Sequence, residues 1–126
     1  MNFRGIIIEE SLEDKKILKS LNILKTIVEK TSPEDNTPWL KKWTMHTIEV
    51  TEDKAMEIAE RIAISLDKNH NWYADYKNED YHFIIFKKKI FVVDRIKKEE
   101  YEEAKKYGLK LGIPEEQLDF SPEVKV

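Results

Sequence analysis

Three histidines are the side chains in this sequence that are best suited to acid–base or metal chemistry near neutral pH, because imidazole changes its charge in that range. They are His46, His70 and His82. If His46 and His82 face the same side of a sheet, they would form a two-histidine site with Asp75 or Asp94 for acid–base or metal work. The interpretation that we prefer gives each histidine a separate structural or surface role, with His70 at the end of a helix.

The spacing of the candidate ligand residues does not match any common metal or cofactor site. None of the histidines belongs to a helical metal pair, and the absence of cysteine excludes disulfides and thiolate nucleophiles. Only three glycines are present, and no glycine-rich phosphate loop, nucleophile elbow or zinc-protease motif fits the sequence. We therefore expect no metal and no cofactor, and an enzyme is the less favoured class of protein.

Aromatic side chains with polar tips form a second group of candidates, because such rings line ligand pockets, although they also fill hydrophobic cores. The group comprises Trp43, Trp72, Tyr73, Tyr76 and Tyr81. From both groups, the candidate ligand-binding residues are Trp43, His46, Trp72, Tyr73 and His82. A small molecule is thus one possible partner of this chain.

A run of three lysines at residues 87–89 is the feature that could contact the phosphates of RNA, with Tyr81 as an aromatic neighbour. Four glutamates between residues 99 and 103 counter these lysines, and the whole chain has 22 basic and 25 acidic residues. A formal charge of -3 gives no general attraction for a phosphate backbone. The run is better interpreted as a solvated turn, and nucleic acid is the least favoured partner.

The N-terminal apolar run, Ile6 to Ile8, is too short for the core of a signal peptide and far too short to span a bilayer. We therefore expect a cytoplasmic protein without membrane association.

The 126 residues of the chain are enough for one hydrophobic core. We therefore predict a single α+β domain over residues 1–126, with a short C-terminal tail at residues 119–126.

The first half of the chain predicts strands at residues 3–9, 23–30 and 40–50, and a short helix at residues 12–21. Turn formers and two prolines at residues 31–38 predict a flexible loop. Alternation in the third strand places Thr44, His46, Ile48 and Val50 on one face, and Trp43, Met45, Thr47 and Glu49 on the other. Gly5 in the first strand indicates a bulge or a close backbone approach.

The second half predicts a helix that is capped by Thr51, with an apolar stripe of Ala55, Ile58, Ala59, Ile62 and Leu66. Strands at 72–76 and 81–86 form a predicted hairpin, and a third follows at 90–93. The last two strands contain runs that are apolar at every position, which predicts cover on both faces. A final helix at 98–110 is ended by Gly112, and Leu118 and Phe120 fold back as apolar anchors.

The predicted element order, β-α-β-β-α-β-β-β-α, corresponds to a ferredoxin-like plait that is extended by an extra strand and by a C-terminal helix. Helices on one face of such a sheet leave its other face to be covered. Either the C-terminal helix or a second copy of the chain supplies that cover.

Three segments together resemble a family of small, uncharacterised prokaryotic proteins: residues 3–12, residues 72–75 and residues 107–120. The similarity would extend over nearly the whole chain. It implies a compact prokaryotic protein, and it implies no activity, substrate or cofactor for any residue.

Three functional hypotheses follow from the sequence. The leading one is a non-catalytic binding or protein-interaction domain that self-associates as a homodimer, because the sequence offers two-sided apolar strands and aromatic side chains without a convergent catalytic set. The second is a small enzyme that uses His46 and His82 for acid–base chemistry in an aromatic-lined pocket. The third is a weak RNA-binding module.

Overall fold

A six-stranded antiparallel sheet organises the computed structural model, which describes residues 1–30 and 40–118. The strands are β1 (Phe3–Ile8), β2 (Asn22–Lys30), β3 (Lys42–Val50), β4 (Tyr73–Lys77), β5 (Tyr81–Phe86) and β6 (Ile90–Asp94). Their order in the sheet is β2-β3-β1-β4-β5-β6. The two α-helices of the described residues are α1 (Ala55–Ser65) and α2 (Lys98–Lys110). The α+β class and the C-terminal helix are therefore as predicted.

The two helices lie on opposite faces of the sheet, because side chains alternate between the faces along each strand. On the α1 face, Phe83 and Ile85 of β5 join a core that contains Ile58 and Ile62 of α1. On the α2 face, Ile84 and Phe86 of β5 join a second core with Tyr101 and Ala104 of α2. The predicted cover on both faces of β5 is thus confirmed.

The apolar stripe of α1 is buried as its helical spacing predicts. Ala59, Ile62 and Leu66 have no exposed surface, and Ala55 and Ile58 are also buried. Capping by Thr51 is wrong in detail, since a 3₁₀ turn at Glu52–Lys54 precedes α1 and the Thr51 side chain makes no capping hydrogen bond.

The predicted first helix at residues 12–21 is replaced by two 3₁₀ segments, Glu9–Ser11 and Lys15–Ser20. The reason lies in tertiary structure: Leu12 forms a β-bridge with Leu66 and is therefore extended, which interrupts any helix that begins at residue 12. Asp14 caps the second 3₁₀ segment through the Lys16 amide. The Ser11 hydroxyl donates to the Ile8 carbonyl.

Strand β6 departs from the expectation of full burial. It is an edge strand, and Val92, which pairs with Phe83 on the α1 face, is 40% exposed. The predicted turn between β5 and β6 is present, and the Phe86 amide donates to the Lys89 carbonyl across it.

The segment after α2 folds back onto the helix as predicted. Gly112 has a positive φ of 93°, which suits a residue without a side chain, and it follows the last turn of α2. Leu118 is buried against Gly108.

The expected anchor Phe120, the predicted loop at 31–38 and the predicted tail at 119–126 lie outside the described residues. In the described part of the chain, no helix has the length and apolar character needed to cross a membrane.

Candidate functional site

A groove of about 290 Å³ opens on the α2 face of the sheet, where α2 covers β5 and β6 but leaves β1 and β3 uncovered. Strand residues form its floor, and their even spacing places them on one face. The segments before β4 and after α2 form its walls. The lining residues are Ile6, Ile8, Trp43, Met45, Asn71, Trp72, Tyr73, Asp75, Ile113 and Gln117.

Hydrogen bonds attach the C-terminal wall of the groove to β4 and to the residues before it. The Tyr73 hydroxyl donates to the Gln117 carbonyl. The Asn71 side-chain amide donates to the Leu111 carbonyl over 2.5 Å. Because one of these bonds ties the C-terminal wall to β4 and the other ties it to the wall before β4, the groove is a preformed feature of the described fold.

Asp75 connects the groove to a buried chain of polar groups. Its Oδ2 lies 2.7 Å from Nε2 of His82, and Nδ1 of His82 lies 3.1 Å from the Tyr101 hydroxyl. His82 is 1% exposed. Burial raises the pKa of Tyr101 in spite of the opposing charge of Arg95, so the phenol keeps its proton as a donor. Because a carboxylate only accepts hydrogen bonds, Nε2–H of His82 is the donor in this contact, and it holds the Asp75 carboxylate in place.

A second histidine cluster lies on the α1 face, at the middle of β3. His46 Nε2 lies 2.9 Å from Glu9 Oε1, and His46 Nδ1 lies 2.8 Å from the Thr26 hydroxyl. Beside it, the Glu10 carboxylate accepts hydrogen bonds from the backbone amide and the hydroxyl of Thr44, over 2.6 and 2.8 Å. These contacts fasten the 3₁₀ segment after β1 onto β3, which is a structural role.

Replacing Glu10 by Gln should make the protein less sensitive to acid. Burial tends to raise the pKa of Glu10, but the hydrogen bonds from Thr44 outweigh it and lower the pKa below its ordinary 4.5. The carboxylate therefore stabilises the fold above about pH 4.5, and this contribution is lost as the pH falls through the lower folded-state pKa. We expect Glu10→Gln to cost about 1 kcal/mol at pH 7, a value that allows for solvent screening, and less below pH 4.5.

Urea unfolding at pH 7 and at pH 3.5 measures this effect. Glu13→Gln, at an exposed position three residues away, serves as the matched control and should leave both unfolding curves unchanged. An equal loss for Glu10→Gln at the two pH values would contradict the assigned role of the carboxylate.

The structure brings together three of the five candidate ligand-binding residues. Trp43, Trp72 and Tyr73 line the groove, and His82 lies directly behind it through Asp75. His46 does not belong to the groove, since it lies on the opposite face of the sheet, where it is 7% exposed. The condition for a two-histidine site, that His46 and His82 face the same side, is therefore not met.

Asp75 lines the groove, and the sequence analysis named it only as an accessory of the two histidines. A usable signal was present: Asp75 follows Tyr73 by two positions in a strand, and Met45 follows Trp43 by two. The spacings place Asp75 on the same face as Tyr73, and Met45 on the same face as Trp43. The spacing within a strand does not predict which strands are neighbours in the sheet, so it could not bring Asp75 and Trp43 into one groove.

The lysine run makes contacts within the chain. Lys87 Nζ donates to the carbonyls of Ile64 and Leu66 at the end of α1, over 3.1 and 2.5 Å. The Lys89 ammonium lies 5.1 Å from the ring centre of Phe91. Tyr81 begins β5 whereas the lysines follow its end, so the aromatic neighbour expected for RNA binding lies at the other end of the strand.

His70 lies after α1, as expected from its position, and its Nδ1 is 2.6 Å from Asp67 Oδ2. Within residues 1–30 and 40–118, no group of three or more histidine, aspartate or glutamate side chains is arranged to hold a metal ion.

Comparisons with family models, with curated proteins and with solved structures yield no match to this chain. The resemblance to small prokaryotic proteins therefore stays a prediction.

Proposed function

We propose that the protein is a non-catalytic binding domain whose ligand is a small organic cation with an apolar body, held in the groove beside Asp75. The observation that carries this proposal is the composition of the lining: among the lining residues in the described part of the chain, Asp75 has the single charged side chain. The others present aromatic and aliphatic surface with a few amide groups.

The size of the groove sets the size of the ligand. A volume of about 290 Å³ is near the lower end of the roughly 300–1,000 Å³ that is usual for small-molecule sites. Trp43 offers flat apolar surface, and an indole face attracts cations as well as apolar groups. Trp72 also lines the groove, while part of it packs against the α1-face core. A compact amine with an aromatic or aliphatic body meets both requirements.

The carboxylate is prepared for such a ligand by the groups behind it. A carboxylate has about four acceptor positions, and the hydrogen bond with His82 uses one of them. The side chain of Asp75 is 33% exposed, so a donor in the groove can reach it. His82, with 1% exposed, orients Asp75 and is shielded from the ligand, which favours a binding role over acid–base catalysis by the imidazole.

Replacing Asp75 by Asn should weaken binding of a cationic probe by about tenfold, which corresponds to roughly 1.4 kcal/mol. The Asn oxygen can still accept the hydrogen bond from His82, so the change removes charge with little change in shape. The probes are phenethylamine and 3-phenylpropionate, which have a similar body and opposite charge. Binding is followed by tryptophan fluorescence and by amide chemical shifts.

The wild-type protein should bind the amine more tightly than the acid, and Asp75→Asn should remove that preference. Asp53→Asn, on the exposed 3₁₀ turn before α1, is the control and should retain it. Equal affinity for the two probes in the wild-type protein would refute the proposal. Native mass spectrometry of protein gently purified from cells would then identify the natural ligand by its mass.

We also propose that β1 to β4 and their connections form a ferredoxin-like plait. Support comes from the order β2-β3-β1-β4 with antiparallel neighbours, and from Ile17 of the second 3₁₀ segment, which shares a core with α1. In this proposal the 3₁₀ segment takes the place of the first helix, and β5 and β6 extend the sheet beyond β4.

A further inference from the structure

The outer edge of β2 is an unusual surface. Strand β2 has nine residues, forms one end of the sheet, and pairs along one side with β3. All nine of its side chains are exposed, and the apolar ones are between 37% and 57% exposed: Ile23, Leu24, Ile27 and Val28. A long, exposed, apolar edge strand is a template for pairing with a further strand.

The charges of β2 favour a second copy of the same strand. Lys25, Ile27 and Glu29 pair with Thr47, Met45 and Trp43 of β3, so all three lie on the α2 face. Two copies of β2 that pair antiparallel are related by a two-fold axis perpendicular to the sheet, which keeps the faces of both copies aligned. With the axis at Ile27, Lys25 of each copy lies opposite Glu29 of the other.

Other positions of the axis are less favourable. An axis at Lys25 places two lysines opposite each other, and like charges in directly opposed positions are destabilising. An axis at Thr26 or at Val28 places Lys25 or Glu29 opposite Ile27. With the axis at Ile27, two opposite-charge pairs flank an isoleucine pair on one face, and on the other face Thr26 lies opposite Val28.

We propose that two copies of the chain associate through β2 in this register, which joins their sheets into one of twelve strands. The irregularity between Ile23 and Lys25 limits the pairing to the second part of the strand. Lysine and a bulge on an edge strand disfavour pairing with arbitrary strands. In the symmetric register, Lys25 of each copy pairs with Glu29 of the other. Lys25 therefore opposes pairing with other strands but favours pairing with a second copy of β2.

Charge reversal tests the register. Lys25→Glu would place a carboxylate opposite Glu29 of the second copy, and Glu29→Lys would place an ammonium opposite Lys25. Each single variant should raise the dimer dissociation constant by tenfold or more at low salt, and the double variant Lys25→Glu/Glu29→Lys should restore it. Sedimentation equilibrium over a range of protein concentrations measures the constant.

A cysteine at the axis gives an independent readout, because the natural chain has none. Ile27→Cys should form an intermolecular disulfide under mild oxidation at micromolar concentration. Val92→Cys is the matched control: Val92 lies on the opposite edge strand and is 40% exposed, compared with 42% for Ile27, and it should remain a thiol.

A monomeric wild-type protein up to millimolar concentration would overturn the proposal. A dimer that is unaffected by both single charge reversals would overturn it as well, because another surface would then form the interface. Asp75→Asn should leave the dimer dissociation constant unchanged, so the tests of the edge strand and of the groove have separate outcomes.

Discussion

The Ile62→Asp variant is expected to be largely unfolded at 25 °C. Ile62 has no exposed surface and lies in the core between α1 and the sheet. An aspartate there would be a buried charge without a partner, which costs several kcal/mol. Total stabilities of small domains are about 5–15 kcal/mol, so one such change removes a large part of the free energy of unfolding. Thermal melting followed by far-ultraviolet circular dichroism measures the loss.

Ile64→Asp is the matched control for this variant. Ile64 belongs to the same helix, two positions further along, and is 75% exposed. Its replacement should change the free energy of unfolding by about 0.5 kcal/mol or less. If Ile62→Asp melted near the wild-type temperature, the assignment of the α1 stripe to the core would be wrong.

The Gly5→Ala variant is expected to lose about 3 kcal/mol of stability, at the upper end of the usual cost of overpacking. A Cβ atom on Gly5 would lie 2.0 Å from the Asp75 carbonyl oxygen and 2.8 Å from the Tyr76 Cα atom. Both atoms belong to the backbone of β4, so β1 and β4 would have to separate. Because Asp75 also lines the groove, the variant should bind the cationic probe more weakly. Urea unfolding and the probe titration measure the two effects.

Gly108→Ala tests whether the loss at Gly5 comes from backbone contact. A Cβ atom there would lie 2.6 Å from Leu118 Cδ2, which is the end of a flexible side chain. Alanine is also favoured over glycine by about 1 kcal/mol within a helix, which partly offsets the displacement of Leu118. We expect a stability within about 1 kcal/mol of wild type. Equal losses at the two glycines would contradict the explanation given for Gly5.

Much of the local structure could be predicted from the sequence, because it depends on periodic patterns. The stripe that contains Ile58 and Ile62 predicted a buried helix face, and alternation in β3 placed His46 and Trp43 on opposite faces. The position of Gly5 indicated a close backbone approach, and the contact with β4 confirms it. These features were predictable because each is set by near neighbours in the chain.

The first helix and the burial of β6 were predicted wrongly, for reasons that involve distant residues. Leu12 is the first residue of the helix predicted at residues 12–21, but its bridge to Leu66 makes the backbone extended. Val92 belongs to an apolar run that is typical of a strand covered on both faces, yet β6 lies at an edge of the sheet and Val92 is 40% exposed. Contacts between distant parts of the chain, which the local pattern does not contain, decided both outcomes.

The candidate site shows the same division. The sequence by itself determined the class of fold, the helix faces, and the chemical character of Trp43, Trp72 and Tyr73, because these depend on residue type and on periodicity. Only the tertiary structure brought β3, β1 and β4 side by side, placed Asp75 in the groove with His82 behind it, and left His46 on the opposite face. Contacts between residues far apart in the chain depend on how strands pair, and that pairing is settled by the packing of the whole domain.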